Sequence, residues 1–167
     1  MMNVLFLCTG NSARSILAES LLNTMGHSRF KAYSAGSQPK DKPHPVAIGL
    51  LQRLGHPTDT LRSKSWDEFA KEGAPHLDII ITVCDNAAGE ACPVWPGRPA
   101  AGHWGIADPA AVTGNGQEVR IAFLEAYAQM ADRIGRFVAA PVEAMDDVEL
   151  KQVLSDIGGQ HRIAGAA

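Results

Sequence analysis

The sequence predicts an α/β protein: a three-layer sandwich of the flavodoxin-like or Rossmann-like kind, with a four-stranded parallel sheet in the order 2-1-3-4 and helices on both faces. Three observations predict it. Short apolar runs alternate with stretches of helical periodicity, a pattern that right-handed crossovers turn into a parallel sheet. The strongest runs, Val4-Leu5-Phe6-Leu7 and Ile79-Ile80-Ile81, lack polar alternation, as strands buried on both faces do. Finally, Cys8, Cys84 and Asp108 all stand just beyond strand ends, where such sheets bind ligands.

Each element has a local reason. Asn3 to Cys8 is a strand stopped by Thr9-Gly10-Asn11, and from Ser12 the positions Ile16, Leu17, Leu21, Leu22 and Met25 recur at helical spacing up to Gly26. Phe30 to Ala35 is a second strand closed by Gly36. Val46, Ile48, Leu50, Leu51 and Leu54 form a second helix that opens near Pro43 and Pro45 and stops at Gly55. Leu77 to Val83 is the third strand, ending in Cys84-Asp85-Asn86, and His103 to Ile106 is a weaker fourth one before Asp108-Pro109. The Pro- and Gly-rich segment between Cys84 and Asp108 reads as a functional loop rather than a helix. Ala122, Phe123, Ala126, Met130, Ile134 and Val138 fit one long helix running to about Ala140, whose solvated side carries Arg120, Asp132, Arg133 and Arg136.

Residues 1–140 thus make one catalytic-sized domain, and residues 141–167 a C-terminal extension with a short helix around Val148 to Ile157 and a frayed Gly/Ala end. The extension either covers a sheet edge or mediates dimerisation, so monomer and homodimer both stay open.

Composition narrows the function. With 46% apolar and 20% charged residues the 167-residue chain supports a real core, and disordered or low-complexity classes are excluded. No apolar run approaches the ~20 residues of a membrane span, and the amino terminus lacks a secretory pattern, so a cytoplasmic location is expected. A net charge of −3 argues against a nucleic-acid partner. Three cysteines are an odd number, which favours nucleophilic or redox thiols over a disulfide framework.

The chemistry concentrates in Cys8-Thr9-Gly10-Asn11-Ser12-Ala13-Arg14-Ser15. A thiol precedes an arginine across a small-residue turn that feeds a helix. Amides of Thr9, Gly10, Asn11, Ser12, Ala13 and Arg14 are left without intrahelical partners, and with the helix dipole they form a cradle for a tetrahedral oxyanion such as arsenate, phosphate or sulfate. Arg14 adds a bidentate clamp, the same field stabilises a Cys8 thiolate, and the Ser15 hydroxyl can bond its sulfur. The bland alternative, a buried structural cysteine, explains neither the arginine nor the strand–turn–helix context.

These residues, with Tyr33-Ser34-Ala35-Gly36 and Asp108-Pro109, resemble the low-molecular-weight protein tyrosine phosphatase superfamily up to about residue 140. Thr82-Val83-Cys84, Cys92-Pro93 and His103-Trp104-Gly105 resemble its arsenate reductase branch. The resemblance implies reduction of arsenate to arsenite through a three-cysteine relay: Cys8 as nucleophile, then Cys84, then Cys92, with an external thiol system, thioredoxin or glutathione and glutaredoxin, as reductant. It implies Asp108 as general acid, against a turn-forming Asp-Pro, and Asn11, Glu19 and Ser34 as ligands of a monovalent cation. No tightly bound cofactor is implied. Zinc binding by Cys84 and Cys92 is disfavoured by their spacing and by the lack of further ligands. The rival reading is a phosphatase working through a phosphocysteine. Phosphatase relatives, however, follow the Asp-Pro with tyrosines and carry a second loop cysteine, where Ala110-Ala111 and Ala13 stand here. A nonenzymatic anion-binding or redox-sensing module is the third reading.

Overall fold

The computed structural model describes residues 1–90 and 93–166, with side chains described as far as Gly159. β1 (Met2–Cys8) lies inside the sheet, paired in parallel on one side with β2 (Phe30–Gly36), from Met2 opposite Phe30 to Cys8 opposite Gly36. On its other side runs β3 (Ile79–Thr82), from Val4 opposite Ile79 to Leu7 opposite Thr82. β4 (Ala100–His103) completes the order β2-β1-β3-β4. Val4, Leu5 and Phe6 are wholly buried, because both faces of a parallel sheet are covered.

The two faces differ. Val4, Phe6, Ile79 and Ile81 meet α1 (Arg14–Met25), α2 (Pro45–Arg53), α4 (Gly116–Ala139) and α5 (Asp147–Ala166) in the larger core. Leu5, Leu7 and Ile80 face a smaller cluster with Tyr33, Trp95 and the 3₁₀ turn Trp66–Phe69. Local signals set the helix ends. Pro45 opens α2 with His44 Nδ1 accepting from Val46 N, and Gly55 behind it sits at φ +83°. Asn115 caps α4 by accepting from Glu118 N at 2.9 Å.

Four expectations need correction. The fourth strand is Ala100–His103, not His103–Ile106. Trp104 and Ile106 gave that segment its apolar look, yet both are buried past the strand end, and the strand itself is small-residue chain because α5 lies against it. A Cβ on Gly102 would come within 2.9 Å of Leu154 Cβ. The Cys84 to Asp108 segment, expected to be free of helix, contains β4 and a single helical turn, α3 (Asp85–Gly89). The terminal helix is longer than Val148 to Ile157: a reciprocal box between Asp146 and Glu149 starts α5, which runs Asp147–Ala166. Leu150, Leu154 and Ile157 join the core, and Trp104 Nε1 donates to Leu154 O at 3.0 Å, so the extension packs against the sheet at β4. Lastly, Arg133 is 3% exposed rather than solvated, and its Nη1 donates to the carbonyls of Trp104 and Gly105. Periodicity could not reveal this, since a buried guanidinium satisfied by carbonyls looks like any other charge in a helical pattern. No helix among the described residues is long and apolar enough to cross a membrane.

Candidate active site at the end of β1

Cys8 ends β1 and residues 9–13 turn the chain into α1. The turn's carbonyls are all engaged outward: Thr9 O accepts from Gln38 N, Gly10 O from Lys40 N, Ser12 O from His44 N and Asn11 O from the Ser63 hydroxyl. In a trans peptide the N–H lies opposite the C=O, so the amides of Gly10, Asn11, Ser12 and Ala13 point to the other side, around the thiol. Asn11 N, donating to Cys8 Sγ at 3.2 Å, shows that sense directly. Asn11 takes φ +45°, a left-handed conformation that Asn tolerates, and β2 closes on the loop at Gly36, where a Cβ would lie 2.4 Å from Thr9 O.

Hydrogen bonds fix the thiol's surroundings. Ser15 Oγ lies 3.0 Å from Cys8 Sγ and accepts from Asn11 Nδ2 at 2.8 Å. Asn11 Oδ1 in turn accepts from Lys64 N at 2.9 Å. Cys8, Asn11, Ser12 and Ser15 are buried, whereas Thr9, Gly10 and Arg14 are partly open. Arg14 reaches the segment after β4: Nη1 donates to Ile106 O at 3.2 Å, and Nη2 lies 3.5 Å from Asp108 Oδ2. Asp108 Oδ1 accepts from Ala110 N and caps the 3₁₀ turn Pro109–Ala111, so its turn-forming and charged roles coexist.

Cys84 comes to the same place. Its sulfur caps α3 by accepting from Ala87 N at 3.3 Å and lies 3.7 Å from Thr9 Oγ1, which also donates to Glu90 Oε1 at 3.4 Å. The pairing of β1 with β3, with Leu7 opposite Thr82, produces this neighbourhood. Cys8 and Cys84 are both free thiols. Cys92 lies outside the described residues.

Glu19 and Ser34 are buried together, with Ser34 Oγ donating to Glu19 Oε2 at 2.7 Å. Burial pushes the Glu19 carboxyl above its ordinary range, with Lys64 the largest opposing influence. Lys64, 7% exposed with Nζ donating to Arg62 O, is pushed down by its own burial and held up by Glu19. Asn11 spends both ends of its amide on Ser15 and Lys64. Of the trio named for a monovalent cation, Ser34 and Glu19 bond each other, whereas Asn11 bonds Ser15 and the Lys64 backbone, with the Lys64 ammonium close enough to Glu19 to oppose the effect of its burial. Lys64 and Ser63 carried no motif, and only the fold brings them to Asn11. A second unforeseen link joins His103 to Asp85, the residue after Cys84, at 2.8 Å.

The low molecular weight phosphotyrosine protein phosphatase family model matches residues 3–150. The chain belongs to that family. Within it, similarity runs to an arsenate reductase of Bacillus subtilis, 31% identical over 134 residues that make up 80% of this chain and 93% of the relative. A solved arsenate reductase from Archaeoglobus fulgidus is 29% identical with a TM-score of 0.63, over 82% of this chain and 99% of that one. A low molecular weight protein tyrosine phosphatase from T. tengcongensis superposes with a TM-score of 0.67 at 20% identity, over 83% and 99% of the two chains, which shows the shared fold.

Proposed function

We propose that the chain reduces arsenate to arsenite through its thiols. Arsenate sits in the loop formed by Thr9, Gly10, Asn11, Ser12, Ala13 and Arg14, its oxygens on the inward amides and the guanidinium. The Cys8 thiolate, bonded by Asn11 N and Ser15, attacks arsenic, and Asp108 gives a proton to the departing oxygen, which leaves as water. The Cys84 thiolate attacks Cys8 Sγ. The sulfur–arsenic bond breaks with its electron pair going to arsenic, so arsenite departs and a Cys8–Cys84 disulfide remains. Two thiols have lost two electrons and arsenic has gained them. Cys92 then displaces Cys8 from Cys84, and an external dithiol reductant of the thioredoxin or glutaredoxin kind reduces the Cys84–Cys92 disulfide.

One observation carries the reading: a second free thiol, Cys84, stands 3.7 Å from the first side chain of the anion loop. Ester hydrolysis has no use for it. The relatives named arsenate reductases support the same choice. The phosphatase alternative rests on the loop, Arg14 and Asp108 alone, which suffice to hold and cleave a phosphate ester.

The deciding experiment measures thiol-dependent arsenite production and p-nitrophenyl phosphate hydrolysis for the wild type and for Cys8→Ser, Cys84→Ser and Cys92→Ser. Multiple-turnover arsenite production should vanish in all three, with Cys92→Ser still releasing a single arsenite per chain, while hydrolysis should need Cys8 alone. Arsenite output that survives loss of Cys84 sinks the relay.

A further inference from the structure

We infer that His103 is a positioning residue for Cys84, clasping the start of α3 to the sheet; the inference rests on the relay proposed above. Cys84 leads into a helix of five residues, Asp85-Asn86-Ala87-Ala88-Gly89, too short to be stable by itself. Ala87 anchors it in the core, and a cavity of about 840 Å³ opens beside it with Ala87, Ala88, Asp85 and His103 in its wall. Two further devices hold it. One is the Cys84 cap itself, which is given up when the sulfur reacts. The other is a chain of side chains: Thr82 Oγ1 lies 2.6 Å from His103 Nδ1, and His103 Nε2 lies 2.8 Å from Asp85 Oδ1.

The chemistry of this chain is self-consistent. An ionised carboxylate only accepts, so Nε2 carries the hydrogen toward Asp85, while Nδ1 pairs with the Thr82 hydroxyl, which also reaches Gly102 O at 3.5 Å. The clasp ties both strands to α3, since Thr82 and His103 are register partners at the ends of β3 and β4. Gly105 supplies an independent sign that the space is built for it. A Cβ there would lie 2.8 Å from Asp85 Oδ1 and 2.8 Å from His103 Nε2, so a side chain would displace the pair.

Attack of Cys84 on the Cys8 sulfur requires residue 84 to stay beside Thr9 while its cap dissolves. Asp85 is the adjoining residue, and anchoring it limits how far the thiol strays. The pair is partly exposed, so the gain is modest, about fivefold in the rate of that one step.

The test uses full-length protein carrying Cys92→Ser, in which the relay stops after one arsenite per chain, and follows the single-turnover burst of arsenite. His103→Leu and Gly105→Ala should each slow the burst about fivefold, and His103→Gln, which can still donate to Asp85, should recover most of the rate. Hydrolysis of p-nitrophenyl phosphate, which does not use Cys84, should be unchanged in all three. Bursts at the parental rate in the Leu and Ala variants overturn the inference, and so does a fall in burst and hydrolysis by the same factor, which would mean general damage. Failure of the relay is distinguishable: the parent protein then releases no arsenite, and both readings fall together.

Discussion

The Asn11 side-chain amide donates to Ser15 Oγ at 2.8 Å, filling the hydroxyl's acceptor side and leaving its hydrogen for Cys8 Sγ, 3.0 Å away. Asn11 cannot turn its amide round, because Oδ1 already accepts from Lys64 N. A buried residue with positive φ thus aims a proton at the nucleophile from the far side of the loop.

Ser15→Ala should therefore lower every reaction of Cys8. A hydrogen bond to a charged group contributes about 1.5–3 kcal/mol, so the loss should be about 10- to 100-fold in both arsenite production and p-nitrophenyl phosphate hydrolysis. The two assays should fall together. A variant with unaltered turnover would remove Ser15 from the account.

Asp108→Asn keeps an acceptor for Ala110 N, so the Pro109–Ala111 turn should survive, but it cannot supply a proton. General-acid loss costs on the order of 100-fold, felt most by poor leaving groups. Phenyl phosphate hydrolysis should drop further than p-nitrophenyl phosphate hydrolysis. An equal drop would mean that Asp108 acts only by holding Arg14, 3.5 Å away.

The buried Glu19 and Lys64 make stability depend on pH. Glu19 is raised from 4.5 chiefly by burial, so the native state holds its proton more tightly than the unfolded chain does; that contribution is complete below 4.5 and is lost as pH climbs through the folded value. Lys64 is lowered from 10.5, again chiefly by burial, so its contribution is complete above 10.5 and is lost as pH falls through its folded value. Between the two folded values each charge steadies the other. Lys64→Met should destabilise the protein at pH 7 by roughly 2 kcal/mol, less than for a contact pair, and by a smaller amount at pH 5, where Glu19 more readily takes a proton. Urea unfolding at the two pH values measures it, and adding Glu19→Gln should restore most of the loss.

Gly158 lets α5 touch the end of β4. A Cβ there would lie 2.2 Å from His103 O, a backbone atom that cannot swing aside. Gly158→Ala should cost about 1–3 kcal/mol in urea unfolding, as overpacking does. Unchanged stability would show that the extension is only loosely docked.

Much of this was legible along the chain. Ile16, Leu17, Leu21 and Leu22 are buried as their spacing requires, and Cys8, Asn11 and Ser15 converge as a local turn must make them. β4 is not legible in the apolar pattern because its residues, Ala100-Ala101-Gly102-His103, suit the helix packed on them, and that helix is distant in sequence. The burial of Arg133 is hidden for the same reason, since its carbonyl partners at Trp104 and Gly105 come from another element.

The sequence by itself determined the alternation of strands and helices and the loop that surrounds Cys8, because apolar period, turn residues and unpaired amides are local properties. Only the tertiary structure decided that Cys84 stands beside Thr9, that His103 grips Asp85 and that Lys64 faces Glu19. Strand register and helix docking set those meetings, and they are fixed by the packing of the whole core rather than by any short stretch of chain.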